Sequence, residues 1–351
     1  MQTTDRIGVA IAGITGYTGI ELARILSRHP RVELRFLGGR SRAGEAVEAG
    51  APSLARLVSG RVEEVDAARI SQCAEVAFLA LPHGAAAEVA VPLLERGTMV
   101  IDLSADFRLR DADVHRAWYG EHKAPAWVGK AVYAMPEIAR ETIRGARFLA
   151  SPGCYPTAAT LSLAPLVAAG WVDASDLIVD SKSGASGAGR GASVANLLAE
   201  TGEAMHAYNV TKHRHTPEIE MALSMVGGGD VRVTFTPHLV PMSRGILSTA
   251  YARPRVRRTA AEVQELYEVH YRAEPFVRVL PPDRLPDTAH VRGSNFIDVA
   301  VRVDERAGGR IVALAAIDTL VKGAAGQAVQ AMNVALGCPE TAGLDFAPMF
   351  P

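Results

Sequence analysis

The opening run IGVAIAGITGYTGIELARIL sets the tightest limit on the fold of this chain. Residues 7–13 are uncharged and rich in β-branched and small side chains, the pattern of a buried strand. Three glycines then lead into residues 17–29, where Ile20, Leu22, Ile25 and Leu26 recur at roughly helical spacing. A second apolar run, VELRFLGG (32–39), follows the helix. AEVAFLAL (74–81), TMVIDLS (98–104) and RFLAS (147–151) read as further strands, and residues 85–97 as a crossover helix carrying a proline. Strands separated by helices pair in parallel with right-handed crossovers. The pattern therefore predicts an α/β Rossmann-like dinucleotide-binding domain over residues 1–153.

After about residue 155 the texture changes. DLIVDSKSG, VRVTFTPHLV, GILSTAYARP, NFIDVAVRVD and RIVALAAID succeed one another as strands with fewer helices between them. This predicts an α+β second domain, residues 154–322, with a mixed and largely antiparallel sheet. One helix over 259–274 interrupts it. A last helix over 323–336, rich in small residues, is expected to pack back on the first domain, so that 323–351 rejoins it. The 351 residues suffice for two cores. A formal net charge of -1 argues against a nucleic-acid or membrane-surface protein. Cys73, Cys154 and Cys338 are widely spaced and odd in number, which suggests neither a disulfide framework nor a zinc knuckle. With no signal-peptide pattern and no apolar run of membrane-spanning length, the expectation is a cytoplasmic protein.

Three stretches carry chemistry. GITGYTG sets Gly13, Gly16 and Gly19, with Thr15, Tyr17 and Thr18 between them, at the junction of the first strand and first helix. Glycines there permit a tight turn and bring backbone N–H groups to a pyrophosphate at the helix's positive end, although an ordinary βα turn has the same spacing. The second strand ends in GGRSRAG, where an NAD-selecting protein usually places a carboxylate. Arg40, Ser41 and Arg42 suit a 2′-phosphate instead and favour NADP; a solvated basic turn is the alternative.

SPGCYPTAAT places Cys154 at a helix start, with Pro156 in the first turn. The helix dipole favours a thiolate there, whereas a packed cysteine needs no such setting. In TKHRHTPEIEMALSMVGGG, Thr216 is expected to cap a helix beginning at Pro217, with Glu218 and Glu220 in its first turn. His213 and His215 precede that start, where an imidazole stays neutral and available as a base. His-x-His in extended chain also faces both rings one way, but no cluster with metal-ligand spacing accompanies it. SKSGASGAGRGAS (181–193), with Ser183, Gly184 and Arg190, offers donors for an anion at a strand end. Arg108, in DLSADFR, either holds a phosphate or pairs with Asp102 or Asp106. Cys73 and Cys338 are expected to be buried and without function.

These motifs, with FTPHLVPMSRGIL, GSNFID and LVKGAAGQAVQAMN, occur in an order that resembles the N-acetyl-gamma-glutamyl-phosphate reductases of arginine biosynthesis, within the wider group containing aspartate-semialdehyde dehydrogenases. The resemblance runs almost end to end. It implies NADP as cofactor, Cys154 as nucleophile and His215 as acid/base. It places His213, Arg190, Ser183 and Gly184 around a small acyl phosphate, and implies a homodimer or homotetramer. Thr319 stands where the family has an asparagine near the nicotinamide, Ser151 where asparagine is common, and VYAMPE replaces Tyr-Gly-Leu-Pro-Glu. A LysW-linked aminoadipate phosphate reductase, an aspartate-semialdehyde dehydrogenase and an NADP-binding sensor without catalysis are the rival readings.

Overall fold

The computed structural model describes residues 6–191, 194 and 197–350. Ala192 and Ser193, at the end of the serine–glycine stretch, lie outside the described residues. The chain forms two compact units. One runs to Pro152 and takes in Ala324–Phe346; the other is Gly153–Gly323 with the segment from Ala347. The tail beyond Phe346 thus departs from the expectation that 323–351 belongs wholly to the first domain. Its attachment is to the second unit: the Met349 N–H donates to the Arg292 carbonyl at 2.8 Å, and the Phe350 ring lies 5.4 Å from that of His290.

Among the described residues the first unit holds six strands: β1 Ile7–Ala12, β2 Val32–Gly38, β3 Val76–Leu79, β4 Met99–Asp102, β5 Val132–Tyr133 and β6 Phe148–Ala150. All pair in parallel, in the order β2-β1-β3-β4-β6-β5. The order reverses direction between β1 and β3, the place where ligands of open α/β sheets bind. Helices that the sequence did not disclose, Ala67–Cys73 and Ala112–Tyr119, begin at Asp66 and Asp111, whose carboxylates accept N–H groups of the first turn. The Gly326–Ala335 helix is completely buried in this unit. A polar stripe anchors it. Gln330 donates to Glu137 at 2.9 Å and to Glu340 at 2.8 Å, and Asn333 meets the ring of His29 at 3.0 Å. Spaced three apart, these side chains share one helix face. Burial holds His29 below the usual histidine range, despite its bond to Asn333.

Among the described residues the second unit holds seven strands: β7 Val172–Ser183, β8 His206–Ala207, β9 Val233–Leu239, β10 Ile246–Pro254, β11 Val277–Val279, β12 Ile297–Asp304 and β13 Arg310–Ile317. They line up as β11-β12-β13-β10-β7-β9-β8; β7/β9 and β11/β12 are parallel, the other neighbours antiparallel. The Cys154–Ala168 helix is buried nearly all round. It shows how such a helix tolerates a proline. Pro165 has no N–H for the Leu161 carbonyl four residues back. That carbonyl instead accepts the Tyr271 hydroxyl at 2.5 Å, and the Ser162 carbonyl accepts that of Tyr267 at 2.6 Å. Both tyrosines come from the Ala260–Tyr271 helix, whose start is fixed by a capping box between Thr259 and Glu262.

Candidate active site

In the first unit the glycine loop divides its labour. Gly13 has φ +105°, and a Cβ there would lie 2.2 Å from the Ala80 carbonyl oxygen at the end of β3. A Cβ at Gly19 would lie 2.1 Å from the Gly13 carbonyl oxygen. Both glycines are demanded by the chain's own packing. Gly16, which caps the Tyr17–Leu26 helix, is different: its nearest neighbour would be 3.6 Å away. No side chain caps this helix and no acid occupies its first turn, so its dipole is left for an anion. The Thr15 and Ser41 hydroxyls approach to 3.4 Å, joining the glycine loop to the basic loop. Arg42 is turned back, with its guanidinium 3.3 Å from Glu45 and donating to the Ala49 carbonyl. Arg40 is more exposed, 3.9 Å from Glu88, and borders a cavity of about 220 Å³ lined also by Glu64, Val65, Leu81 and Val89. The end of the sheet's first switch point therefore carries a glycine-cradled helix start, a cation and a partly apolar hollow. These features fit a dinucleotide.

Arg108 lies buried beside β4. Its Nε donates to the Ser151 carbonyl and its Nη2 to the Leu103 carbonyl, both at 2.8 Å, which ties the ends of β4 and β6 together. Its charge also faces Asp102, whose carboxyl burial and the nearby Asp106 push up to about 7. Asp102 is held by the Ser104 N–H and hydroxyl.

In the second unit Cys154 opens its helix, with Gly153 as the N-cap. The second histidine motif closes against this start. Glu218, fully buried, accepts the Gly153 N–H at 2.7 Å and so stitches two helix N-termini together. The histidine-bearing helix is Thr216–Gly227, and His215 rather than Thr216 is its N-cap. His215 already has αR geometry, φ -80° and ψ -12°, so the helix begins one residue earlier than the Thr-Pro pair suggests. The two histidines lie in a turn rather than in extended chain: the His215 N–H donates to His213 Nδ1 at 3.1 Å, and the Thr216 N–H to the His213 carbonyl. Their rings sit 4.8 Å apart. Burial, with a smaller push from Arg214, lowers the His213 pKa to about 4, so this ring is neutral and its Nδ1 is an acceptor.

Tyr155 joins the histidines to the sheet. Its ring lies 5.4 Å from His213 and 5.9 Å from His215, and its hydroxyl meets that of Tyr208 at 2.9 Å. Burial raises Tyr155 far above the usual phenol range and Tyr208 to about 12, so both keep their protons. Ser183 is buried at the end of β7 and donates to the Gly184 carbonyl. The 3₁₀ turn Ala185–Ala188 follows, and Arg190 stands exposed beyond it. Thr319 is buried, and its hydroxyl accepts the Gly245 N–H at 2.9 Å. Sequence reasoning missed Tyr208, and placed Glu218 only as an acid in the first turn of its own helix. Among the described residues no group of three or more His, Cys, Asp or Glu is arranged to hold a metal ion. Cys73 and Cys338 are half-buried free thiols, more open than expected because each sits at the end of a helix: the Ala67–Cys73 helix and, three residues on, the Gly326–Ala335 helix.

Comparison with known proteins matches this layout unit by unit. Residues 8–146 match the NAD binding domain of semialdehyde dehydrogenases, and residues 154–319 their dimerisation domain. The chain is 52% identical over 346 residues to an N-acetyl-gamma-glutamyl-phosphate reductase of Desulforudis audaxviator, covering 98% of this chain and 100% of that one. A reductase of the same name from Pelobacter propionicus is 52% identical with the same coverage, and one from Moorella thermoacetica 50%. The chain belongs to the N-acetyl-gamma-glutamyl-phosphate reductase family. Solved structures extend the likeness in fold beyond these reductases. Aspartate semialdehyde dehydrogenase II of Vibrio cholerae superposes with a TM-score of 0.73 at 20% identity, covering 94% of this chain and 98% of that one. The Candida albicans enzyme, solved with NADP, gives 0.66 at 17% identity, with coverages of 94% and 98%.

Proposed function

We propose that this chain reduces N-acetyl-gamma-glutamyl phosphate to N-acetylglutamate 5-semialdehyde and phosphate, with NADPH as reductant, in arginine biosynthesis. The observation that carries the reading is the meeting of two helix starts, one bearing Cys154 and the other His215, bound through Glu218. Its family relatives, about half identical over their full length, carry the name of that reaction. A semialdehyde dehydrogenase acting on aspartate semialdehyde is the weaker reading, since that likeness is one of fold at 20% identity or less.

Cys154 Sγ attacks the acyl carbon as thiolate. A C–S bond forms while the C–O bond to phosphate breaks, and phosphate leaves with the electron pair. The developing oxyanion faces the start of the helix, where the Gly153 N–H is already given to Glu218 and Pro156 has none to give. When bound, the reduced dinucleotide supplies the hydride that takes the thioester to the aldehyde level. His215 gives its proton to the oxyanion that hydride transfer leaves, then takes it back as the carbonyl re-forms, the C–S bond breaks and Cys154 departs as thiolate; in reverse it serves as the base. His213, held neutral, accepts from the His215 backbone and keeps the second ring in place. Ser183, Gly184 and Arg190 surround the substrate's anionic end, and Arg108 supports the site through the strand ends it ties. Thr15, Gly16, Tyr17 and Thr18 hold the pyrophosphate on a loop that Gly13 and Gly19 shape, and Arg40 and Ser41 receive the 2′-phosphate, whereas Arg42, assigned to it from the sequence, is turned back onto Glu45 and the Ala49 carbonyl. Thr319, in place of the family's asparagine, accepts the Gly245 N–H at its hydroxyl oxygen, and its hydroxyl proton is directed towards the nicotinamide side.

The chain acts as a homodimer or a homotetramer in this reading, which the match of residues 154–319 to a dimerisation domain supports. Among the described residues no helix is long and apolar enough to cross a membrane, and we place the protein in the cytoplasm. The test is phosphate-dependent NADP reduction with N-acetylglutamate semialdehyde, beside aspartate semialdehyde and a LysW-linked aminoadipate semialdehyde, with NAD as a parallel cofactor. Cys154→Ser is expected to bind NADPH normally while turnover falls by about 10⁴-fold or more. Activity confined to aspartate semialdehyde, or near-normal turnover in Cys154→Ser, would overturn the reading.

A further inference from the structure

Gly323 stands in the run LVKGAAG, which the proposed chemistry leaves without a task. It lies in the π-helical turn Val321–Ala325, and its N–H donates to the Asp318 carbonyl five residues back at 2.9 Å. A Cβ built on Gly323 would lie 2.8 Å from Cys154 Cβ and 3.4 Å from Cys154 Cα. Real Cβ atoms do not approach so closely. Gly323 has no left-handed φ, so its own backbone conformation admits any residue. Space alone requires glycine here, and the space is bounded by the cysteine.

The turn that delivers Gly323 is itself clamped. Asp318 is fully buried, and its Oδ1 accepts the N–H groups of Leu320 at 2.8 Å and Val321 at 3.0 Å. The same oxygen faces the Arg244 guanidinium at 3.0 Å, and Oδ2 accepts the Gly293 N–H at 2.6 Å. One carboxylate thus holds three chain segments and starts the wide turn, whose extra residue carries Gly323 onto the cysteine. A π-turn is an uncommon and costly insertion in a helix and gathers at functional sites. A nucleophile needs its sulfur fixed within a fraction of an ångström, because a displacement of about 1 Å costs on the order of 100-fold in rate.

We propose that Gly323 is a positioning residue, the wall against which Cys154 rests, and that Asp318 holds this wall in place by closing the π-turn. The inference depends on Cys154 being the nucleophile, and the experiment separates the two claims. Turnover, NADPH binding by fluorescence and the rate of thiol alkylation by iodoacetamide are measured for Gly323→Ala, Asp318→Asn and Cys154→Ala. In Gly323→Ala, kcat is expected to fall by about 100-fold with an altered alkylation rate, while the aldehyde KM and NADPH affinity stay within about twofold. Asp318→Asn, which keeps an acceptor oxygen but loses the charge facing Arg244, gives a smaller loss of the same kind. Normal kcat in Gly323→Ala beside an inactive Cys154→Ala overturns the inference alone; an active Cys154→Ala overturns the nucleophile. Should Gly323→Ala be too unstable to assay, its effect on Tm is measured again in a Cys154→Gly background, where the opposing Cβ is gone. Recovery of most of the lost Tm supports the contact, and an undiminished loss overturns it.

Discussion

Among the described residues two α-helices have glycine as N-cap, one in each unit, and the two beginnings are put to different uses. Gly16 opens the Tyr17–Leu26 helix in the first unit; Gly153 opens the Cys154–Ala168 helix in the second. Neither helix has a side-chain cap or an acidic residue in its own first turn, so neither quenches its own dipole. The first start is half-exposed and surrounded by glycines. The second receives a buried carboxylate from a different helix, Glu218, which takes the Gly153 N–H and leaves the sulfur to the following residue. An open start suits a ligand that brings its own negative charge. A partly satisfied start suits a charge that develops only during reaction, because the protein must remain stable before the substrate arrives.

That contrast can be broken at the first start by separating its glycines. Gly13→Ala forces a side chain into φ +105° and against the Ala80 carbonyl, and is expected to destabilise the first unit by about 3 kcal/mol or more. Gly16→Ala meets nothing closer than 3.6 Å, so its Tm should be unchanged while NADPH affinity falls by about tenfold. Thermal melts and NADPH titrations of the two variants, side by side, check the division between a glycine for the fold and a glycine for the ligand. Equal Tm losses would show that the loop is structural throughout.

At the second start, Glu218→Ala leaves the buried Gly153 N–H without its acceptor, a loss of about 2 kcal/mol. A fall in kcat should accompany it, because the cysteine and histidine helices are no longer joined. Glu218→Gln retains an acceptor oxygen and should recover most of the stability, as denaturant titration would show. A smaller effect sharpens the comparison through pH. His213 is neutral in the folded protein down to about pH 4, whereas an unfolded histidine takes up its proton near pH 6.5. Its depressed folded pKa gives stability that is present above pH 6.5 and drains away as the pH falls towards 4. His213→Gln should therefore flatten the acid side of the stability profile, by on the order of 1 kcal/mol at pH 5.5, and leave the alkaline side alone.

The parts of this molecule that the sequence disclosed are those governed by local rules. Alternation of strands and helices located β1, β2, β3, β4 and β6, and the spacing of Gly13, Gly16 and Gly19 located the loop between them. Cys154 with Pro156, and His213 with His215, announced two helix starts because capping chemistry is read within a turn. Strands β5, β8 and β11 escaped notice because two or three residues carry no period. Glu218 and Gly323 escaped as site residues for a different reason. Each acts on the Cys154 helix start from a distant part of the chain, 65 residues away in the first case, and nothing local distinguishes a first-turn acid from a bridge. The helix expected over 323–336 concealed a π-turn at its head, since small residues hide the extra residue that widens it.

The hydroxyl that Tyr271 lends to the Leu161 carbonyl ties together two positions far apart in the chain. Replacing Pro165 with an amide-bearing residue would close the helix on itself, and the second lone pair of the Leu161 carbonyl would still accept the tyrosine. Removing the tyrosine alone would strand that oxygen in a dry interior. Residue 271 therefore cannot give up its hydroxyl while residue 165 stays proline, and any redesign of this nucleophile-bearing rod has to restore an amide at 165 before it dispenses with the tyrosine.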